Sequence, residues 1–313
     1  MKEQILVTGG AGFIGSNLVN HLLEQNYDVV VFDNFSAGNN LSHETYRNLK
    51  IIQGDLKNFD DINKIPNTIN SVFHLAADPE VRLFITNPDS IFKNNITSTY
   101  NLLEWFKNSS AKKFVFTSSS TVYGDTKIFP TPETTPCNPI SIYGASKLAC
   151  ESLIGAYCNT FNKIGVSLRL ANIVGPTSCH GIIFDMMKKL QDNATNLEIL
   201  GDGTQNKSYL YVDDCVDALM KIFETINEKY SVYNIGSNSQ IAVDSIVDII
   251  IEESGYSNVK KYFTGGVDGG RGWIGDVKKM LLDCNKLQTI GWNSKLDSKD
   301  AVRKTVYELK KIN

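Results

Sequence analysis

Residues 4–16 read QILVTGGAGFIGS: a short apolar run, a glycine-rich turn, then the first residues of a helical pattern. The run 4–8 predicts a buried strand. In 13–24, Ile14, Leu18, Leu22 and Leu23 recur at helical spacing, and Asn26 ends the pattern. Between them Gly9, Gly12 and Gly15 are spaced G-x-x-G-x-x-G. Glycines there let the backbone turn tightly and let an anion approach the helix N-terminus, where free N–H groups and the dipole favour negative charge. Gly15 lets the helix pack closely on the strand. Asp33 ends the next strand-like run 21 residues after Gly12. A carboxylate there accepts from both ribose hydroxyls of NAD and repels the 2′-phosphate of NADP. Asp55, in IIQGDL, ends a third strand and fits either an adenine contact or a helix cap.

Working outward, strand-like runs at 28–32, 50–53, 70–76, 112–118 and 165–170 alternate with helical segments, notably 88–107 and 143–161. That alternation predicts an α/β chain: a Rossmann-type doubly wound parallel sheet covered on both faces. Beyond about residue 171 the regularity weakens. Strands at 197–200, 231–236 and 260–266 mix with helices near 182–192, 213–226, 243–254 and 297–311. The expected organisation is an NAD-binding domain over 1–171 and a smaller α/β substrate domain over 172–313. No linker marks the boundary, and the chain is expected to cross between the two.

The bulk properties exclude other classes. The 313 residues carry a net charge of −3, giving no basic field for nucleic acid or anionic membrane. The apolar segments are too short to span a bilayer. Four histidines are scattered without ligand spacing, so no metal site is expected. Six cysteines form no C-x-x-C pair, and the N-terminus has no signal-peptide pattern. Reduced thiols in a cytoplasmic protein follow.

Residues 141–151 read SIYGASKLACE, with Tyr143 and Lys147 four apart and hence on one helical face. Alone, the spacing also fits a plain surface pair. Beside a dinucleotide fold it fits chemistry. A phenol with an ordinary pKa near ~10 is a poor base at neutral pH. A nearby ammonium and a cationic nicotinamide both favour phenolate, which takes a hydroxyl proton while hydride leaves the same carbon. Lys147 also suits the nicotinamide ribose.

Taken together, TGGAGFIG (8–15), Asp33, GDL (54–56), HLAA (74–77), SSSTVYG (118–124), YGASK (143–147), LRLANIVGP (168–176), YLYVDD (209–214) and RGWIGD (271–276) lie in order along the chain. The chain resembles the extended short-chain dehydrogenase/reductase family, specifically its nucleotide-sugar epimerases and dehydratases, most like the UDP-glucose (UDP-galactose) 4-epimerases. The resemblance implies NAD held by the glycine turn with Phe13 and Ile14, by Asp33 and Asn34, by Asp55 and Leu56 at the adenine, and by Leu75, Ala76 and Ala77 beneath the nicotinamide ribose. It makes Ser119, Tyr143 and Lys147 catalytic, with Ser119 hydrogen-bonding the reacting oxygen. It assigns Asn172, Lys207 and Arg271 to the diphosphate, Leu200 to the strand backing the base, and Met280 to the sugar's 2-substituent. Lys207 departs from a usual arginine: the charge stays and the fork is lost. Asp213 and Asp214 are expected to cap the helix that follows them.

The resemblance also bears on the reaction. Family members that eliminate water carry Asp-Glu immediately after the catalytic hydroxyl residue, and the decarboxylases carry a Glu at the second position. Here those positions are Ser120 and Thr121, neither a useful acid or base. What remains is epimerisation at carbon 4 of a UDP-hexose by transient oxidation. The alternatives are another reductase, decarboxylase or dehydratase of the family, or a non-catalytic NAD-sensing or RNA-associated protein. Helices 88–107 and 143–161 correspond to those that form an intersubunit bundle in the family, so a homodimer is expected.

Overall fold

The computed structural model describes residues 3–41, 46–79 and 87–312. The strands are β1 (Gln4–Thr8), β2 (Asp28–Asp33), β3 (Leu49–Gln53), β4 (Ser71–His74), β5 (Lys113–Ser119), β6 (Ile164–Leu170), β7 (Asn172–Val174), β8 (Asn196–Ile199), β9 (Asn206–Lys207), β10 (Tyr209–Tyr211), β11 (Tyr230–Ile235), β12 (Ile241–Ala242), β13 (Lys260–Phe263) and β14 (Lys279–Met280). The helices used below are α1 (Phe13–Glu24), α2 (Phe59–Ile62), α3 (Pro88–Ile91), α4 (Ser98–Asn108), α5 (Ile142–Thr160), α6 (Ile182–Asp192) and α7 (Val212–Thr225).

A seven-stranded sheet runs β11-β6-β5-β4-β1-β2-β3. The order reverses beside β1, because β2 and β3 lie on one side of it and β4 on the other, all parallel. This is the Rossmann-type α/β arrangement, whose ligands bind beyond the carboxyl ends of the strands at the switch point. The glycine turn after β1 lies at that point. β1 and β2 are buried almost throughout, with Leu6, Val30 and Phe32 in one cluster with Val72, Phe106, Phe114 and Phe116 from neighbouring elements. β3 differs from expectation. It closes the sheet edge, so only Ile52 is buried and Ile51 is 47 % exposed.

Two compact units emerge from the chain's contacts. One comprises 1–122, 142–169 and 219–233; the other comprises 123–141, 170–218 and 234–313. In the second unit β7 pairs with β10, β8 with β13, and β9 lies between β12 and β14.

The stretch expected as one helix over 88–107 is interrupted. α3 passes into a π-helical turn, Phe92–Thr97, before α4. Two side chains draw on one ladder carbonyl there: Thr99 Oγ1 donates to the Asn95 oxygen at 2.7 Å, and Cys150 Sγ, from α5, approaches the same oxygen at 3.5 Å. Side chains drawing on a ladder carbonyl loosen the i→i−4 pattern. α7 also departs from expectation. Asp214 does not cap it; its buried carboxylate accepts the backbone N–H groups of Lys295 and Leu296 at 2.9 and 3.2 Å.

Candidate active site

The glycine turn is built as its spacing requires. Gly9 has φ +70, and a Cβ there would lie 2.6 Å from the Ala76 nitrogen, so the turn sits directly against the segment after β4. At Gly15 a Cβ would fall 2.0 Å from the Gly9 carbonyl oxygen, which only glycine avoids. α1 starts after Gly12 with no side-chain cap and no acid in its first turn, leaving N–H groups and a dipole that suit a phosphate. Phe13 and Ile14 are half-buried at this end.

Asp33 closes β2 beside the turn. Its carboxylate accepts the N–H of Ala11 at 2.9 Å and of Phe35 at 2.8 Å, which aims it along the loop. Asn34 is exposed, and its Oδ1 accepts from the Ser36 N–H. Asp55 is not a helix cap. Its Oδ1 accepts the Lys57 N–H, while Asn58 caps α2. Leu56 is buried, and Leu75, Ala76 and Ala77 follow β4 half-buried. The turn and the uncapped helix offer N–H donors and Asp33 an acceptor, a set that fits the phosphates and a ribose of a dinucleotide.

Ser119, Tyr143 and Lys147 are brought together in the same unit. Ser119 Oγ accepts from Thr121 twice, from the hydroxyl at 2.9 Å and from the N–H at 3.2 Å. With both lone pairs engaged, its O–H is left to donate to the Tyr143 oxygen, with which it is hydrogen-bonded. Lys147 is 3 % exposed. Its Nζ donates to the Thr117 carbonyl at 2.8 Å and stands 4.7 Å from the Phe116 ring centre and 5.7 Å from that of Tyr143. Desolvation brings its pKa down to about 8.

At Tyr143 burial works against the phenolate. Desolvation pushes the phenol's pKa up to about 12, against the lowering effect of the Ser119 hydrogen bond. The lysine's closest bond goes to Thr117, and the polypeptide alone holds Tyr143 as the neutral phenol.

Beneath this group runs a buried polar chain that sequence reasoning missed. His74 meets Thr8 Oγ1 through Nδ1 at 2.7 Å and Thr99 Oγ1 through Nε2 at 2.9 Å. Thr99 spends its hydrogen on Asn95, so it accepts from Nε2–H, and Nδ1 accepts from Thr8. Burial, helped by the charge on Lys147, drops the His74 pKa to about 3. Asn95 donates to Ser146 Oγ at 3.0 Å, and Ser146 donates to the Tyr143 carbonyl at 2.8 Å. A run of polar residues, KNNITST (93–99), inside a helical stretch was the available signal.

In the second unit, Asn172 donates through Nδ2 to the Ser208 carbonyl at 3.2 Å. Leu200 follows β8, and its carbonyl accepts from Gln205 Nε2 at 3.3 Å. Lys207 on β9 pairs with the buried Asp276, Nζ to Oδ1 at 2.5 Å, and stands 5.4 Å from the Trp273 ring centre. Arg271 grips the Asp125 carboxylate and donates to the Asp276 carbonyl at 2.6 Å. Met280, 7 % exposed, sits beside Lys207 in the β9–β14 pairing. Asp125 and Asp276 are the partners that sequence reasoning did not supply.

Among the described residues no group of three or more metal-capable side chains exists, and no helix is long and apolar enough to cross a membrane. His43 lies outside the described residues.

The fold and the hydroxyl–phenol–ammonium group define a Rossmann-type enzyme of the extended short-chain dehydrogenase/reductase class. Residues 5–236 match the NAD dependent epimerase/dehydratase family, and the chain belongs to it. NAD is accordingly its cofactor. The chain is similar to a UDP-galactose 4-epimerase of known structure, with 39 % identity, 99 % of each chain covered and a TM-score of 0.88. It is similar to the UDP-glucuronic acid 4-epimerase of Bacillus cereus, solved with UDP-glucuronic acid and NAD, with 30 % identity over 99 % of this chain and 100 % of that one and a TM-score of 0.88. It also resembles the UDP-N-acetylglucosamine 4-epimerase of Methanobrevibacter ruminantium, with 29 % identity, 100 % of each chain covered and a TM-score of 0.88.

Proposed function

We propose that this chain is a 4-epimerase of UDP-hexoses, of the UDP-glucose/UDP-galactose type. The observation that carries the reading is the hydrogen-bonded set Thr121–Ser119–Tyr143 beside buried Lys147. Thr121 is engaged in orienting Ser119, and neither it nor Ser120 offers the acid or base that dehydration or decarboxylation needs. A non-catalytic reading is disfavoured because all three candidate catalytic side chains are present, Ser119 bonded to Tyr143 and Lys147 Nζ 5.7 Å from its ring centre.

In this reading the glycine turn and α1 bind the cofactor phosphates, and Asp33 holds the adenosine ribose. When bound, NAD would supply the hydride acceptor and donor, and the buried Lys147 ammonium 5.7 Å from the Tyr143 ring centre favours the phenolate against desolvation. Tyr143 removes the proton from the 4-hydroxyl and returns it when carbon 4 is reduced. Ser119 holds the same oxygen. The keto sugar turns between the two half-reactions, so reduction comes from the other face. Lys147 orients the nicotinamide ribose. Asn172, Lys207 and Arg271 meet the diphosphate, and Leu200 backs the base.

The sugar is assigned through Met280. Methionine fills space beside the sugar's 2-substituent and disfavours an N-acetyl group. Epimerases of three different UDP-sugars share this fold at the same TM-score of 0.88, so a substrate panel decides. Purified protein without added NAD is incubated with UDP-glucose, UDP-glucuronic acid and UDP-N-acetylglucosamine. Epimerisation of UDP-glucose fastest is the expected result; no 4-epimer of any of them sinks the reading.

A cytoplasmic homodimer completes the proposal. All six cysteines are free thiols. Phe92 and Tyr100, in and beyond the π-turn, and Ile142, at the start of α5, expose large apolar surface. A monomeric mass by light scattering at micromolar concentration would refute the dimer.

A further inference from the structure

The guanidinium of Arg271 is already occupied by this chain. Nε donates to the Asp268 carbonyl at 3.1 Å. One terminal nitrogen donates to the Asp276 carbonyl at 2.6 Å and to Asp125 Oδ1 at 3.3 Å, and the other to Asp125 Oδ2. Asp125 therefore fills the planar fork by the bidentate geometry that a phosphate would use. The neighbouring cation, Lys207, is likewise neutralised by Asp276. Each cation already bonds one of these two acids, and Asp268 adds further negative charge at Arg271, so a diphosphate entering among them leaves excess negative charge unless one of the two bonded acids withdraws.

The two acids are not equally able to do so. Asp276 is 2 % exposed in its side chain and also accepts the Gly272 N–H at 3.1 Å. The Asp125 side chain is 47 % exposed, and among the described residues its carboxylate bonds only Arg271. The backbone just before it is pinned. Tyr123 donates its buried hydroxyl to Asn234 Oδ1 at 2.7 Å, and Gly124, at φ +60, has no room for a side chain against the Asn138 carbonyl. Asp125 can swing into water without moving what precedes it.

We infer that Asp125 is an internal competitor of the nucleotide diphosphate for Arg271. Binding exchanges a carboxylate for a phosphate on one guanidinium, and Asp125 then takes its hydration from solvent. The exchange weakens nucleotide affinity and hastens release, the reverse of what a residue that merely positions Arg271 would do. The inference rests on the proposal that Arg271 meets the diphosphate.

The test is calorimetric titration of the purified holoprotein with UDP at fixed ionic strength. Asp125→Asn and Asp125→Ser each remove the charge, and their folding is checked by thermal melting. Both should bind UDP more tightly, by about 3–10-fold, the range an exposed bidentate pair supports. In an Arg271→Gln background, Asp125→Asn should change nothing. Unchanged or weaker UDP binding in the single variants overturns the inference while leaving the nucleotide site standing. If Arg271→Gln binds UDP as tightly as the wild type, the assignment of Arg271 fails, and this inference fails with it.

Discussion

Lys147 Nζ stands 5.7 Å from the centre of the Tyr143 ring, yet it bonds the Thr117 carbonyl at 2.8 Å. The phenol's direct partner is Ser119. The lysine is thus fastened to the end of β5, next to the strand residues that carry Ser119, and acts on the tyrosine from a distance. Replacing Tyr143 by Phe removes the proposed base and keeps the ring that packs there. Turnover should fall by about 10²–10⁴-fold with bound NAD retained, measured by assay and by cofactor release on denaturation. Near wild-type turnover would mean another group takes the proton.

Asp33 accepts two backbone N–H groups at the end of β2, which fix its charge beside the glycine turn, and in the proposed site that charge would meet a 2′-phosphate. Asp33→Ser should weaken NAD and raise the relative affinity for NADP. Equal binding of both cofactors by the wild type would remove the carboxylate from this role.

His74 is fully buried with its pKa down at about 3, against an ordinary value of 6.5. The unfolded chain therefore binds a proton, between about pH 6.5 and 3, that the folded protein refuses. Stability associated with neutral His74 is intact above pH 6.5 and is lost as pH falls through that window, by up to about 4–5 kcal/mol. Urea midpoints measured from pH 7 to 5 should drop more steeply in the wild type than in His74→Gln. Parallel slopes would show that His74 titrates normally.

Arg169 and Glu151 form a buried ion pair, NH2 to Oε2 at 2.8 Å, and Ser118 Oγ donates to the same carboxylate at 2.5 Å. Glu151 lies one helical turn beyond Lys147, and Ser118 directly precedes Ser119, so this pair ties α5 to β5 behind the candidate catalytic group. Glu151→Leu alone removes the carboxylate that offsets the buried Arg169 charge and should cost about 3–5 kcal/mol in urea unfolding. Adding Arg169→Met should recover most of that. A double variant as unstable as the single one would mean that the pair contributes more than its charges.

Met280→Ser should raise kcat/KM for UDP-N-acetylglucosamine relative to UDP-glucose, within the roughly 1–3 kcal/mol that one apolar contact commands. Met280 is buried beside Lys207, so the variant's melting temperature must be followed as well. An unmoved specificity ratio in a folded variant would place the gate elsewhere.

Local order carries its own signature, and much of this protein is local. The glycine spacing, the acid at the end of β2 and the strand–helix alternation predict the parallel sheet and its dinucleotide turn, because each depends on residues within one turn or one strand. Tyr143 and Lys147 share a helical face for the same reason. Contacts between distant segments leave no such mark. Asp125 and Arg271 are 146 residues apart, and Lys207 and Asp276 are 69 apart. Their pairing follows from how the second unit closes, and it turns two apparently available cations into neutralised ones. The pKa of Tyr143 belongs to the same category. Spacing put an ammonium near the phenol, but only packing buries that phenol, and desolvation raises its pKa. The edge position of β3 and the π-turn at Asn95 were likewise settled by neighbours far away in the chain, since exposure and ladder geometry depend on what packs alongside.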